Sequence, residues 1–245
     1  MSAHCRIPLL LVVHLSGCTY FDEPAVAPGY KLLHTSPSAG ELNVSRDRPV
    51  DLYFDAAPAA ETVAPVDVRL FSGLIENTGS VTLDLVGRRI RFRTLVPLRA
   101  SLRHQIWING NIRSLAGARL GEPLIFDFTT GAQADTPAEP PRPEVTARDL
   151  QAAWTACSAC HGISPPRGGV DLSSPEATVR SLSGVTSGGS GLQRVVPGDH
   201  ARSYLMRKLL GEGGMVGLPM PPDGPRLAAE QVRAVADWID GGARW

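Results

Sequence analysis

The sequence predicts a multidomain protein, in which an all-β sandwich precedes a small all-α domain. In the first half, short runs alternate apolar and polar residues, as Val50, Leu52 and Phe54 do. This period of two is typical of half-buried antiparallel strands. In the second half, Leu150, Trp154 and Cys157 recur at helical spacing. A proline-rich stretch separates the two patterns, which places a domain boundary there.

Composition excludes some classes of partner. The chain has 245 residues, and 24 basic side chains balance 24 acidic ones, so its formal net charge is zero. Bulk charge therefore gives no attraction to nucleic acid, and we expect no nucleic-acid partner. No apolar run is long enough to span a bilayer as a helix.

The N-terminus has the pattern of an export signal. A short apolar run, Ile7 to Val13, is followed by Leu15-Ser16-Gly17-Cys18. These four residues resemble the lipobox of bacterial lipoproteins. That resemblance implies that residues 1–17 are a signal peptide and that Cys18 becomes the lipid-modified first residue of the mature chain. A plain secretory signal is the alternative. Lipid on Cys18 would hold the protein at the membrane. Thr19 stands where some inner-membrane lipoproteins have Asp, so we expect an outer-membrane lipoprotein facing the periplasm or the cell surface.

Residues 18–29 are predicted to be a tether, and residues 30–131 the β-sandwich. Strands are expected around Val50–Phe54, Val66–Leu70, Val81–Leu85, Ile90–Phe92, Ile106–Ile108 and Phe126–Phe128. The segment resembles bacterial immunoglobulin-like domains at Ser36-Pro37, Pro97-Leu98, Ser114 to Gly117 and Phe126 to Gly131. Such a domain would be a spacer or docking module. The arginines between Arg88 and Arg93 are interpreted as the solvated face of a strand.

Residues 132–145 form the predicted linker, with prolines at 137, 140, 141 and 143. A proline-rich segment of this length reaches about 40 Å at roughly 3.1 Å per residue. We therefore expect it to hold the second domain, residues 146–245, away from the first.

The second domain carries the main chemical motif of the chain, Cys157-Ser158-Ala159-Cys160-His161. On a helical turn, residues three and four apart share a face. Both thiols can thus reach one edge of a porphyrin while His161 reaches the iron. In an exported chain this motif indicates covalent attachment of one haem c.

Three other interpretations of the cysteine pair are possible. A thioredoxin-like redox pair follows a strand, whereas here a helical pattern precedes the motif. A structural zinc site needs four ligands, and His200 would have to be the fourth. A structural disulfide is also compatible with an oxidising compartment.

The whole domain resembles small monohaem cytochromes c, in particular a bacterial subgroup fused to other exported modules. The likeness rests on the attachment motif and on Val196 to Asp199, Ser203 to Leu205, Met220 to Pro222 and Trp238 to Ala243. It implies a cytochrome c domain with a closing C-terminal helix. Ala228 departs from the expected Ser or Thr cap of that helix.

Met220 is the predicted sixth iron ligand. Its neighbours Pro219, Pro221 and Pro222 stiffen the loop, and the resembling cytochromes place their methionine in this region. Met215, in a glycine-rich stretch, is the first alternative, followed by His200, expected in an exposed turn, and Met206, expected in the core.

These features predict an electron carrier, not an enzyme, working with redox protein partners in the cell envelope. The alternative is a haem-based sensor, or a surface binding protein led by the immunoglobulin-like domain. A sensor would keep one iron position open.

Overall fold

The structure is a computed structural model that describes residues 29–162 and 164–245. The predicted signal peptide and the lipidation site, Cys18, lie outside the described residues, as does all of the tether except Gly29. Within the described ranges, none of the helices is both long and apolar enough to cross a membrane.

The N-terminal part is a β-sandwich of two antiparallel sheets. Each sheet has four strands, in the orders β1-β2-β6-β5 and β4-β3-β7-β8. The strands are β1 (Leu32–Ser36), β2 (Val50–Phe54), β3 (Val68–Ser72), β4 (Ile75–Asn77), β5 (Gly79–Asp84), β6 (Arg89–Thr94), β7 (Arg103–Ile108) and β8 (Leu124–Thr129).

Alternating side chains build the core of this sandwich. Leu52 and Ile90 from one sheet and Leu70, Ile106 and Phe128 from the other are fully buried in one cluster. The period-two prediction is confirmed for these strands. Val66 is an exception, because it lies exposed in a 3₁₀ turn (Pro65–Asp67) before β3.

The arginines of β6 are ion-paired. Arg91 forms a two-pronged contact with the buried carboxylate of Asp51, at 2.6 and 2.7 Å. It also contacts Glu139 of the linker, which Arg93 reaches at 3.3 Å. The outer face of this sheet is therefore partly covered by the linker instead of being simply solvated.

The linker does not separate the two parts as the sequence predicted. Residues 132–145 contain no helix or strand, but they lie against the protein. Besides the Glu139 contacts, the Asp135 N–H donates to Ser45 Oγ at 2.9 Å, and Arg142 pairs with Asp240 near the C-terminus. Polar groups on both parts thus hold the linker in place.

The C-terminal part is a small helical region. Its helices are α1 (Gln151–Trp154), α2 (Ser158–His161), α3 (Pro175–Leu182), α4 (Tyr204–Leu210) and α5 (Ala229–Asp240). α5 corresponds to the closing C-terminal helix that the resemblance implied, whereas no helix was predicted at α3. Ser174 caps α3 by accepting from the Ala177 N–H at 3.1 Å, and Pro175 occupies its first position. That pair is a helix-start signal visible in the sequence.

Ala228 occupies the capping position just before α5, although its side chain cannot cap the helix. Its backbone N–H donates instead to Gln231 Oε1 at 2.9 Å. Trp154 and Trp238 are fully buried in the core of this region.

The two parts share one hydrophobic core. Ala57, Ala60, Leu85 and Leu115 of the sandwich belong to the same buried cluster as Trp154 and Trp238. Ion pairs join the parts around this cluster, between Asp84 and Arg233 at 2.7 Å, Glu61 and Arg207 at 2.7 Å, and Arg88 and Glu212 at 2.7 Å. The two parts are docked together, in contrast to the predicted spacing.

Candidate cofactor site

The attachment motif lies on short helical turns. Cys157 ends a 3₁₀ turn (Thr155–Cys157), and α2 follows at once with Cys160 and His161. The Gly162 N–H donates to the Ser158 carbonyl at 2.7 Å and closes the last turn. Upstream of the motif stand α1 and the linker, not a strand, which argues against the thioredoxin-like arrangement.

The His161 ring is held by a backbone carbonyl. Its Nδ1 lies 3.2 Å from the oxygen of Val170. A carbonyl only accepts, so Nδ1 carries the proton and Nε2 keeps a free lone pair. The Leu172 N–H also donates to the His161 carbonyl at 2.7 Å. The orientation and tautomer are those of an imidazole ready to bind a metal through Nε2.

A cavity of about 480 Å³ opens beside the motif. Its volume lies in the range of roughly 300–1,000 Å³ that is typical of small-molecule and cofactor sites. Cys157, Cys160 and His161 contribute to its wall, together with Met220. Most of the remaining lining is apolar or glycine, including Trp154, Val170, Leu172, Leu182, Leu205, Leu209, Val216, Pro221, Pro222, Gly168, Gly188 and Gly189.

Met220 is brought to this cavity by contacts with α4. Its backbone N–H donates to the Lys208 carbonyl at 2.8 Å. Lys208 Nζ donates in turn to the carbonyls of Val216 and Leu218, at 2.6 and 2.8 Å. The Val216 N–H donates to the Tyr204 hydroxyl at 2.9 Å. The segment that carries Met220 is therefore tied to one helix by its backbone.

The other candidates for a sixth ligand lie elsewhere. Met206 is fully buried in the core, and Met215 is not among the cavity residues. His200 was predicted to be exposed, which is wrong, since it is 4% exposed. Its Nδ1 bonds Asp240 at 2.9 Å, and its Nε2 accepts the Leu85 N–H at 3.2 Å. Both ring nitrogens are thus occupied at the junction of the two parts.

The same position of His200 bears on the zinc alternative. His200 is unavailable as a fourth ligand to the motif, and among the described residues no three acidic, histidine or cysteine side chains cluster as a metal site would require. Cys157 and Cys160 are free thiols in the structure. Burial raises the pKa of the Cys157 thiol, and Cys160 adds to that effect. Redox-active cysteines show the opposite shift.

The glycine-rich segment 184–191 also contributes to the cavity. It is a turn in which the Ser187 N–H donates to Leu192 O at 2.8 Å, and its Gly188 and Gly189 line the cavity. Arg194 donates to the carbonyls of Gly168, Gly169 and Ser181 at 2.7–2.9 Å. It therefore braces the part of the cavity wall to which Gly168 belongs. Sequence spacing carried no signal for these wall residues.

The cavity suits a haem in its volume and donor set. The thiols and the imidazole share one site with a thioether, and most of the surrounding wall is apolar, as a porphyrin requires. Trp154 also lines the cavity, and its buried indole N–H has no acceptor among the described residues. A polar group on a bound molecule can supply that acceptor.

Comparison with solved structures gives distant likenesses to parts of other proteins. They include the N-terminal part of the bacterial S-layer protein SbsC, with 13% identity over 49% of this chain and 29% of that one and a TM-score of 0.35. PcoC, a methionine-rich copper resistance protein from Escherichia coli, shows 12% identity over 42% of this chain and 99% of the PcoC chain, with a TM-score of 0.32. Mycobacterium tuberculosis L,D-transpeptidase 1 shows 18% identity over 43% of this chain and 40% of the transpeptidase chain, with a TM-score of 0.27. The chain spans less than a third of the length of the S-layer chain.

The sequence comparisons bear on the C-terminal part. No curated protein sequence matches the chain. A family model described as planctomycete cytochrome C matches residues 157–224, from the first motif cysteine to just beyond the Met220 segment. This match supports a cytochrome c-like domain that binds haem in the C-terminal part of the chain.

Proposed function

We propose that this protein is a lipid-anchored monohaem cytochrome c that transfers electrons in the cell envelope. The observation that carries the proposal is that Cys157, Cys160, His161 and Met220 all line the same cavity. The cytochrome family match over the same segment supports it.

Each of these residues has a defined role in the proposal. Cys157 and Cys160 would hold the haem through thioether bonds, and His161 Nε2 and Met220 Sδ would bind the iron. Bound haem supplies reversible one-electron chemistry. The Val170 carbonyl fixes the His161 tautomer, and the apolar wall excludes water. A histidine and methionine pair raises the reduction potential, within the range of about 0.8 V that axial ligands span.

Attachment is tested by spectra and denaturing gels on protein made in cells that mature cytochromes c. The full chain should keep haem after denaturation, and the double variant Cys157→Ala, Cys160→Ala should lose it. The matched control is Ser158→Ala, which changes the same turn and leaves both thiols. Haem that still migrates with the denatured double variant would rule out thioether attachment.

The sixth ligand is tested by carbon monoxide binding to the reduced protein. Met220→Ala should keep the haem, lose the weak sulfur-to-iron band in the far red and bind carbon monoxide readily. Met215→Ala is the matched control and should change none of these. If Met215→Ala alone gives the changes, the ligand is Met215. If the unaltered protein already binds carbon monoxide tightly, a sensor with an open iron position is the better interpretation.

Cys18 and the preceding Leu15-Ser16-Gly17 support the membrane part of the proposal. Lipid there would place the protein at the outer membrane, with redox proteins of the envelope as partners. The sandwich, which is similar to immunoglobulin-like domains in its sequence motifs, would accompany the cytochrome part as one body.

A further inference from the structure

The segment that follows α4 and carries the proposed ligand touches the sandwich at its start. This segment, residues 211–222, is called the methionine loop below. The side chain of Glu212 is 18% exposed and reaches two groups of the sandwich. Its Oε2 accepts the Ala57 N–H at 2.6 Å, and its Oε1 accepts from Arg88 Nε and Nη2 at 3.0 and 2.7 Å.

Two glycines after Glu212 form a second, independent contact. A Cβ on Gly213 would stand 2.6 Å from the Cα of Ala116, and one on Gly214 would stand 2.9 Å from the Leu115 carbonyl oxygen. Both glycines have positive φ, at +125° and +62°. The loop backbone therefore lies directly on the sandwich turn around Leu115 and Ala116, and only glycine fits there.

The other end of the methionine loop is fixed differently. From Val216 to Met220 it is tied to α4 by Tyr204 and Lys208. The loop thus has anchors in both parts of the molecule, and Arg207 of α4 also donates to the Gly214 carbonyl at 3.3 Å. Release of the sandwich anchor would leave residues 211–215 without their bonds to Ala57 and Arg88. The loop would then have more conformations, and binding of Met220 to the iron would cost more conformational entropy.

We propose that the sandwich is a positioning element for the iron ligand, acting through Glu212 to hold the methionine loop with Met220 at the cavity. This inference rests on the proposed function, since it presumes that Met220 binds the iron. Glu212 itself is a positioning residue and does not touch the cavity wall.

The two contacts of Glu212 differ in weight. Arg88 is 48% exposed, so its ion pair is screened by water and contributes little. Ala57 is fully buried, so its N–H would lose its partner without access to water. The effect of replacing Glu212 should therefore depend mainly on whether an acceptor for Ala57 remains.

The test uses the full haem-loaded chain and compares Glu212→Ala with Glu212→Gln. The control is Arg233→Ala, which removes the pair with Asp84 between the same two parts but lies away from the loop. The readouts are the far-red band, the reduction potential and the affinity of the reduced protein for carbon monoxide. Haem content and thermal unfolding are measured alongside to show that each variant is folded.

Glu212→Ala should weaken the far-red band and raise carbon monoxide affinity on the order of tenfold, the change expected for loss of one charge-assisted hydrogen bond. Glu212→Gln keeps an oxygen for Ala57 and should change the affinity by about threefold or less. Arg233→Ala should leave the affinity within about twofold. If Glu212→Ala does not fold, Gly213→Ala takes its place in this comparison, because a Cβ there would stand 2.6 Å from the Cα of Ala116 and push the loop off the sandwich turn; it should raise carbon monoxide affinity in the same way.

Three results would overturn the inference. One is that Glu212→Ala leaves carbon monoxide affinity unchanged while Met220→Ala raises it, which retains the proposed ligand and removes the role of the sandwich. Another is that Arg233→Ala and Glu212→Ala act equally, so that general docking and not the loop contact matters. The third is that Met220→Ala itself has no effect, in which case the ligand assignment fails with it.

Discussion

Leu85 offers a direct test of whether the two parts share a core. It follows β5 of the sandwich, is completely buried, and packs in the cluster that contains Trp154 and Trp238. Leu85→Ala removes three carbon atoms, which corresponds to about 2.4 kcal/mol at roughly 0.8 kcal/mol for each buried methylene. The cavity left behind adds to this, so we expect a loss of about 3–5 kcal/mol in the free energy of unfolding.

The matched control is Leu74→Ala at the turn between β3 and β4, where the leucine is fully exposed. That change should stay within about 0.5 kcal/mol. The assay is denaturant unfolding, monitored by far-ultraviolet circular dichroism and by tryptophan fluorescence. Both signals are measured for the unaltered protein and for Leu85→Ala. Coincident transitions would show that the sandwich and the helices unfold together. The shared core would be refuted if Leu85→Ala lowered the free energy of unfolding by less than about 1 kcal/mol. It would also be refuted if the variant shifted only one of the two transitions, so that the two parts unfolded separately.

Three further changes have definite expected outcomes. Burial lowers the pKa of His104 below its ordinary 6.5, and the hydrogen bond to the Arg99 carbonyl opposes this shift. As the pH falls, the histidine is therefore protonated in the unfolded chain at a higher pH than in the folded protein. The stability of the folded protein should then fall as the pH drops below about 6.5. A pH series of denaturant midpoints in which His104→Gln keeps the same slope would contradict this. Burial opposes ionisation of Asp84, but hydrogen bonds from Arg233 and the Gly87 N–H outweigh it, and its pKa lies below the ordinary 3.8. Its contribution is present above pH 3.8 and is lost as pH falls through the folded value, so Asp84→Asn should destabilise the protein near neutrality and flatten the acid limb of the same series. Cys18→Ser should move the protein from the membrane to the soluble fraction, and continued membrane association after a salt wash would show another anchor.

Local patterns predicted the fold where one rule decides the structure. The alternation around Leu52 and Ile90 predicted buried strand faces because a strand's side chains point alternately to the two sides of a sheet. The attachment motif was equally local, since its residues lie within one helical turn of each other. Met220 could not be placed by a local pattern alone, because several residues were candidates for the sixth ligand. Only the fold shows which of these candidates lines the cavity. The segment of α3 was missed although Ser174 and Pro175 signal a helix start.

The docking of the two parts had no such signal. Its apolar contribution comes from small residues such as Ala57 and Ala60 and from Leu85 and Leu115 beside turns, which look unremarkable in a sequence. Its polar contribution pairs residues far apart in the chain, Asp84 with Arg233 and Arg88 with Glu212. The proline-rich linker favoured separation on composition alone, yet composition does not report the ion pairs that Glu139 and Arg142 make.

The shared core changes what the helical part needs from the rest of the chain. Its buried cluster is completed by sandwich residues, and its methionine loop begins on a sandwich turn. The wall with Cys157, Cys160 and His161, by contrast, is built from nearby residues such as Val170 and Leu172. In the proposed function, haem attachment would therefore depend on local structure, whereas the hold on Met220 would depend on both parts. A protein built this way would keep its haem and still change its sixth ligation when the sandwich is disturbed, because different contacts support the attachment motif and the methionine loop.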